Sequence, residues 1–585
     1  MGKSACRGQE NDTSGKIYTV SALDKVFPKE GPKILQSSYT IFRNETFHFQ
    51  VSFYFEQITN AKIFVESDLA EHISVRSVES IPARFAEYEK IHDDYIIQGH
   101  GNNDLFPELL RPLYKTHETM RQNSWTTFWI TVDGSKGLPV GKHEIIIGAD
   151  EYAWGTTKPK GSVRKRSYML EVLDDELPKL DDFIYTCWMH YDCICDKHNV
   201  QPYTERFYHY FGKYLSSAVK HGMNMLYTPL FTPPLDTMCG HYRKNTQLVD
   251  VFVGKDGTYK FSFEKLKKFI KFALSMGIEY FELSHLASQW GAKYAIGIIA
   301  NVDGRNKRIF GWKDRVDSSD YLHFIDCFLK AFSAFIYAEN LENIIFFHIS
   351  DEPPLDAFDN FYLIKNCIDK YFANARVMDA VTHREFKEKG ITTHPFVDFN
   401  NYKNNRSDYV YYCGAQRTEY VPNRLFIFPL QRFRVLGLLL YRNHCKGLLN
   451  WAFNFYNTTF SLEEINPYYE TDAGGCFDAG DSFLVYPSKD GVLESIRHEV
   501  WGAAINDFRA LRLLERYIGR EKVVALLDRE GIKEGFSDYP RSAEWHLNFR
   551  LKLNNYILQC KRFLSASANE PAEDVSLSKR NICYR

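Results

Sequence analysis

Residues 343–354 read NIIFFHISDEPP: Asn343, Ile344, Ile345, Phe346, Phe347, His348, Ile349, Ser350, Asp351, Glu352, Pro353, Pro354. An apolar run opens onto two adjacent carboxylates, and two prolines come directly after. Acidic pairs are ordinarily surface features, and proline after Asp-Glu ordinarily only opens a helix. A run that is apolar without alternation is different, because it is the mark of a strand buried on both faces. Which description applies depends on the sheet that could contain it.

The surrounding sequence supplies that sheet. From residue 183, strand-like runs alternate with helical ones. FIYTCW (183–188) precedes YTERFYHYFGKYLSSAVKHG, MNMLYTP (223–229) precedes FSFEKLKKFIKFALSMG, and IEYFELS (278–284) precedes SSDYLHFIDCFLKAFSAFIYAE. NIIFFHIS then precedes FDNFYLIKNCIDKYFA. Fainter strands come next at ARVMDA, HPFVDF and DYVYYC, and FRVLGLLLYRNH leads into KGLLNWAFNFY. Eight strands alternating with helices predict a parallel (β/α)8 barrel of the TIM type, with insertions after the second and third strands. In such barrels the C-terminal ends of the strands form the active-site face. Asp351 and Glu352 come after the fourth strand, so they fall on that face.

Before residue 177 the texture is that of short alternating runs: SYTIFRNETFHFQVSFYFE (38–56), AKIFVES, TTFWITVDG, GKHEIIIGAD and SYMLEVLDDELP. Such runs without helices predict a β-sandwich. The reading is therefore multidomain: a sandwich over 1–177, with DDELPKLDD as a linker, and a catalytic barrel over 178–490. A C-terminal helical extension packed on the barrel occupies 491–565, and a polar, disordered tail occupies 566–585.

Composition sets the outer bounds. A chain of 585 residues exceeds one core. Lys plus Arg number 72 against 74 Asp plus Glu, which gives no basic footprint for nucleic acid. No apolar stretch approaches the roughly 20 residues of a membrane span, so no membrane insertion is expected. The N-terminus lacks the apolar core of a secretory signal, and the expected location is cytoplasmic. The 12 cysteines are scattered, as reduced thiols are. The cluster CWMHYDCICDKH, with Cys187, His190, Cys193, Cys195 and His198, lacks the spacing of a structural zinc site, and no metal is assigned to it. Aromatic residues make up 16%, enough to fill a core and still line a sugar pocket.

Two carboxyls adjacent in sequence are poorly placed to straddle a glycosidic bond, as most glycosidases require. They are better placed on one side of the sugar, one at the leaving oxygen and one near C2. That suits substrate-assisted hydrolysis, in which the substrate's own 2-acetamido oxygen is the nucleophile. The pair thus points to a glycan substrate ending in a β-linked N-acetylhexosamine.

At these residues the sequence resembles glycoside hydrolase family 123, the retaining β-N-acetylgalactosaminidases. The motifs are HYDCICD, NMLYTPLFTPPLDT, SHLASQWGAKYA, DGRNKRIFGW, FHISDEP, PNRL, NWAFNFYN, INPYYETDAGG, and GDSFLVYP with ESIR, in that order. The resemblance is strongest from 188 to about 510. It implies a β-sandwich, a (β/α)8 barrel, no metal or other cofactor, Asp351 as the group that orients the acetamide, and Glu352 as acid/base. One departure is ASQWGAKYAIGIIANVDG (287–304), where a more basic run is expected. An N-acetylglucosaminidase, a broader hexosaminidase and a non-catalytic carbohydrate-binding barrel are the alternatives.

Around the pair, Trp290 and Trp451 are candidates to pack on a pyranose face. His190, His348, Asn454 and Asp472 are candidates for sugar hydroxyls. Tyr412 and Tyr456, with Tyr411 competing, are candidates for the acetamido oxygen, because strand parity there is not fixed by the sequence.

Overall fold

The structure is a computed structural model that describes residues 16–87, 92–153, 155, 156 and 158–569. The strand Phe47–Phe55 shows how the N-terminal part is built. Phe49, Val51 and Phe53 lie on one face, and His48, Gln50 and Ser52 on the other. The apolar face joins Ile145, Ile147, Tyr168 and Leu170 in one core. Those residues come from two five-stranded sheets. One runs, in spatial order, Lys16–Ser21, Phe47–Phe55, Ser124–Val132, Ile73–Ala83 and Asp104–Pro112. The other runs Ser38–Phe42, Pro159–Leu173, Gly141–Tyr152, Thr59–Glu66 and Glu118–Met120. The polar face of Phe47–Phe55 does not meet solvent. His48 Nε2 lies 3.1 Å from Glu499 of a C-terminal helix, and the Gln50 amide donates to Ser21 O and Asp24 O.

The middle of the chain forms a ring of parallel strands. Ile184–Cys187, Met225–Thr228, Tyr280–Leu283 and Ile345–Phe346 pair in succession. Phe396–Asp398, Tyr409–Tyr412 and Gly447–Asn450 do the same, and the last returns to Ile184–Cys187. The expected fifth strand is present only as two parallel bridges, Phe347 to Val377 and Ala380 to Phe396. Trp188, Met225, Tyr227, Phe346, Tyr411 and Leu449 pack together inside the ring.

The helices depart from strict alternation. Ser319–Ala338 is the longest inside the ring's circuit, with Ser318 Oγ accepting Tyr321 N–H at its start. By length and composition it is apolar enough to cross a membrane, contrary to the sequence expectation. Its stripe of Tyr321, Phe324, Phe328 and Phe332 is buried in the core. After the fifth segment there is only Glu385–Glu388, and between Phe396–Asp398 and Tyr409–Tyr412 there is no helix. The intervening residues 399–408, FNNYKNNRSD, are turn formers in a connection too short for a packed helix. Phe536 from the C-terminal extension fills the place, stacked on Phe399 at 4.5 Å and edge-on to Tyr402 at 5.1 Å.

The two insertions do not stay separate. Asp250–Val253 and Tyr259–Ser262 join Ile298–Val302 and Arg305–Phe310 in a four-stranded sheet. Past the ring, Ile496–Ile518 packs on Leu430–Arg434 and Leu436–Arg442. The last helix, Ala543–Asn569, reaches four residues into the expected tail. It touches the N-terminal sheets as well as Ile496–Ile518, through Arg550 to Glu45 and Asn554 to Thr40 O. Residues 570–585, where the rest of that tail was expected, lie outside the described residues.

Candidate active site

The fourth strand is short, and the residues just past its end are held by neighbouring segments. Ile349 N–H donates to Asp379 Oδ1 at 3.1 Å, and Ser350 Oγ donates to Ser288 O at 2.7 Å. Trp290 N–H donates to Asp351 O at 2.9 Å, and Glu352 N–H to Ala380 O at 3.1 Å. The pair is therefore pinned from the loop after the third strand on one side and from the fifth segment on the other. Glu352 has φ +43° and Trp290 φ +55°, left-handed conformations that cost a non-glycine residue energy. Pro353 and Pro354 carry no N–H, so helix pairing cannot begin until the turn is complete. The helix Phe358–Asp369 starts after it.

Both carboxyls face a cavity of about 310 Å³. Trp188, Trp290, Tyr411, Trp451 and Phe477 give it aromatic walls. Tyr411 donates its hydroxyl proton to Glu352 Oε1 at 2.7 Å. Asp236 lines the cavity from the loop after the second strand, and Asp478 and Asp481 line it from beyond the eighth, with Arg417 paired to Asp478. Asp481 Oδ1 accepts the Trp451 indole N–H at 2.9 Å and the Tyr412 hydroxyl at 3.2 Å. Asp236 Oδ2 accepts Phe460 N–H at 3.0 Å.

Burial, and then the charge of Glu352, push Asp351 well above the usual carboxylate range, while His348 pulls it down. Burial raises Glu352 too, and the Tyr411 hydrogen bond opposes that rise. Two such neighbours titrate as a unit, and the first proton is held by the pair. Burial also lifts Asp236 to about 6 against Arg243, and lifts Asp478 to about 6 against Arg417.

Five of the sequence candidates meet in this cavity: Asp351, Glu352, Trp290, Trp451 and the competing Tyr411. The structure does not bring the other six to it. Tyr412 is on the opposite face of its strand from Tyr411, and its hydroxyl serves Asn423 and Asp481. Tyr456 donates to Val485 O. Asn454 ties the backbone of His190, accepting its N–H and donating to its carbonyl. His190 lies behind the wall, its Nδ1 3.0 Å from Arg243 Nη2, and Arg243 is paired twice with Asp192. Asp472 accepts two hydrogen bonds from Arg84 of the N-terminal part. His348 is wholly buried between Glu282 and Asp379.

Sequence reasoning missed Trp188, Asp236, Gln289, Arg417, Asp478 and Asp481. A signal existed for some of them, since Asp481 sits in GDSFLVYP and Trp188 lies two residues before HYDCICD. Asp236 sits in NMLYTPLFTPPLDT and Gln289 in SHLASQWGAKYA, beside Trp290, and they arrive from the two insertions. Among the described residues, two groups could converge on one metal ion: His285, His348 and Asp379, and His221, Glu494 and Glu499. In the first, both His348 nitrogens already face carboxylates. In the second, Glu499 is engaged by Arg76 and His48.

A model of the glycoside hydrolase 123 catalytic domain matches residues 188–514. No curated protein matches. Among solved structures, a family 123 glycoside hydrolase from Clostridium perfringens, studied for glycolipid glycan hydrolysis, superposes with a TM-score of 0.73 at 13% identity. The match covers 95% of this chain and 100% of that one. A family 5 mannosidase from Rhizomucor miehei matches with a TM-score of only 0.31 at 11% identity, over 62% of this chain and 97% of that one.

Proposed function

This chain belongs to glycoside hydrolase family 123, and from that premise we propose that it is an exo-acting, retaining β-N-acetylgalactosaminidase working by substrate-assisted catalysis. Glycoside hydrolysis is the family's chemistry. The sugar, the stereochemistry and the assisted mechanism are our reading. So is the description of the parallel ring as a (β/α)8-type barrel preceded by a β-sandwich.

The observation that carries the reading is the pair itself. Asp351 and Glu352 are consecutive, face one cavity, and are pinned there by strained backbone. In the first step Glu352 gives its proton to the leaving oxygen while the acetamido carbonyl oxygen of the substrate attacks C1. The C1–O bond to the aglycone breaks and an oxazolinium forms. The Asp351 carboxylate accepts the acetamide N–H and offsets the positive charge. In the second step Glu352, now a carboxylate, takes a proton from water, and the water oxygen displaces the acetamide from C1. Two displacements return the β-anomer. The cavity lies at the small end of the range of roughly 300–1,000 Å³ for ligand pockets, and it suits one terminal sugar. Its aromatic walls suit the apolar face of a pyranose and an acetamide methyl.

Asp236 favours a second reading, direct displacement by a separated carboxylate, because it faces the same cavity. Asp478 and Asp481 are less suited to attack, one being paired with Arg417 and the other accepting two side-chain hydrogen bonds. The two readings separate by substrate. Nitrophenyl β-N-acetylgalactosaminide should turn over, the matching β-galactoside should be almost inert, and proton NMR should show the β-anomer first. Equal turnover of both glycosides, or an initial α-anomer, would overturn the assisted mechanism.

A further inference from the structure

Beneath the pair lies a buried ionic assembly that the two displacements do not use. Glu282, at the third strand, His348, at the fourth, and Asp379, in the fifth segment, are all wholly buried. His348 Nε2 lies 2.5 Å from Glu282 Oε1, and Nδ1 lies 2.9 Å from Asp379 Oδ1. Both carboxyls collect donors, as ionised carboxylates do. Glu282 Oε1 also accepts the Trp188 indole N–H at 2.5 Å, and Glu282 Oε2 accepts the Thr186 hydroxyl at 2.6 Å. Asp379 Oδ1 also accepts Ile349 N–H at 3.1 Å. With an ionised carboxylate facing each ring nitrogen, His348 donates from both and is an imidazolium. The same two donations leave it no lone pair for a metal ion.

We propose that Glu282, His348 and Asp379 are positioning residues: a cationic imidazole, held between two buried carboxylates under the pair, keeps Asp351 ionised while Glu352 retains the proton. This rests on the roles proposed for Asp351 and Glu352 in hydrolysis.

Asp351 needs such a partner. The groups that act on it most strongly are Glu352, His348, Asp379 and Glu282, and among them only His348 is positive. Without it, burial and the Asp379 and Glu282 carboxylates would press a proton onto Asp351, and a neutral acid cannot offset an oxazolinium. The other faces of His348 add no second cation. His285, 4.3 Å away ring to ring, is held neutral by burial and sits against the Tyr227 hydroxyl. Trp188 and Thr186 are uncharged. Burial alone would neutralise His348, but Glu282 and then Asp379 outweigh it and hold the imidazole up to about 9. Glu282 has a second effect, because the oxygen that holds His348 also holds the Trp188 indole of the cavity floor. It ties the platform under the sugar to the charge under the catalytic acid.

The test has two arms. In nitrogen NMR of histidine-labelled full-length protein, with the His348 signal assigned by its loss in His348→Asn, both ring nitrogens should be protonated from about pH 6 to about pH 8, well below the raised imidazole value. A neutral His348 in that range overturns the proposal. In the second arm, Glu282→Gln keeps the shape and removes the charge. The acid limb of its kcat/KM profile on nitrophenyl β-N-acetylgalactosaminide should move to higher pH, because the His348 cation that Glu282 sustains acts on Asp351 more strongly than the Glu282 charge itself. Glu282→Asp should restore much of that shift. A uniform fall in kcat/KM with the limb unmoved means a merely structural role and also overturns it. Should Glu282→Gln fail to fold, Asp379→Asn serves the same comparison. Wild-type protein inert toward β-N-acetylgalactosaminides would count against the catalytic reading, whereas the imidazolium would still stand or fall on the His348 signal.

Discussion

Tyr411 and Tyr412 are adjacent, chemically identical, and opposite in consequence. A strand sends successive side chains to opposite faces, so only one of the two can face the inside of the ring. Tyr411 does, and its hydroxyl meets Glu352 at 2.7 Å. Tyr412 faces outward to Asn423 and Asp481. A hydrogen bond to the charged form favours that form, so Tyr411 holds Glu352 lower than burial alone would. Removing the hydroxyl should raise Glu352. The alkaline limb of kcat/KM, where the general acid loses its proton, should then move to higher pH in Tyr411→Phe. A hydrogen bond to a charged group is worth about 1.5–3 kcal/mol, which corresponds to a shift of about one to two pH units. Tyr412→Phe should leave the limb in place. A pH–rate series on both variants checks this, and a limb that moves in Tyr412→Phe instead would reverse the assignment. The pair itself was legible from the sequence because the apolar run and the two prolines are local signals. The choice between the tyrosines was not, since one residue of register decides it.

At the scale of elements, the loops after the strands build a wall of the cavity. The loop after Tyr409–Tyr412 passes so close to the loop carrying Asp481 that Gly414 has no room for a side chain. A Cβ on Gly414 would lie 2.2 Å from Asp481 Oδ2 and 2.4 Å from its Cγ. Asp481 in turn holds the Trp451 indole. Gly414→Ala should therefore displace Asp481 and tilt Trp451. A misplacement of about 1 Å can cost on the order of 100-fold in rate, so kcat/KM should fall by at least about tenfold with little change in melting temperature. Steady-state kinetics beside a thermal melt would show it, and unchanged kinetics would mean that the wall can yield. The weak fifth strand and the missing helix after the sixth belong to this scale too. ARVMDA was readable as a strand, but the structure keeps only its two end bridges. The turn-rich 399–408 leaves a gap that Phe536 fills from a distant part of the chain, a contact no local pattern announces.

For the whole molecule, one buried carboxylate links three parts of the chain. Asp507, on Ile496–Ile518, accepts from Arg434 at 2.7 and 2.9 Å, from His546 at 2.7 Å and from Arg550 at 2.8 Å. Arg550 also reaches Glu45 of the N-terminal sheets at 2.7 Å. Burial would raise Asp507, but Arg434 and His546 outweigh it and hold the carboxyl far below its usual range. A depressed carboxyl contributes stability that is present above its unfolded value near 3.8 and is lost as pH falls below it. Asp507→Asn should cost about 3–5 kcal/mol, since it leaves buried cations unpaired. It should also flatten the loss of stability below about pH 4. Denaturant unfolding of both proteins from about pH 3 to about pH 7 measures this, and parallel pH curves would mean that the link is not electrostatic.

By itself the sequence determined the alternation of ring strands and helices as far as Phe358–Asp369, the apolar run that leads into Asp351-Glu352, and the two faces of Phe47–Phe55. These come from the strand and helix periods and from proline and turn chemistry, which act between near neighbours. Only the tertiary structure decided that His48 and Gln50 are buried rather than solvated, that Asp472 is engaged by Arg84, and that His348 sits between two buried carboxyls. Each depends on a partner from a distant part of the chain. Burial and charge, which set the behaviour of a side chain, are properties of the groups that pack around it rather than of the residues that precede it.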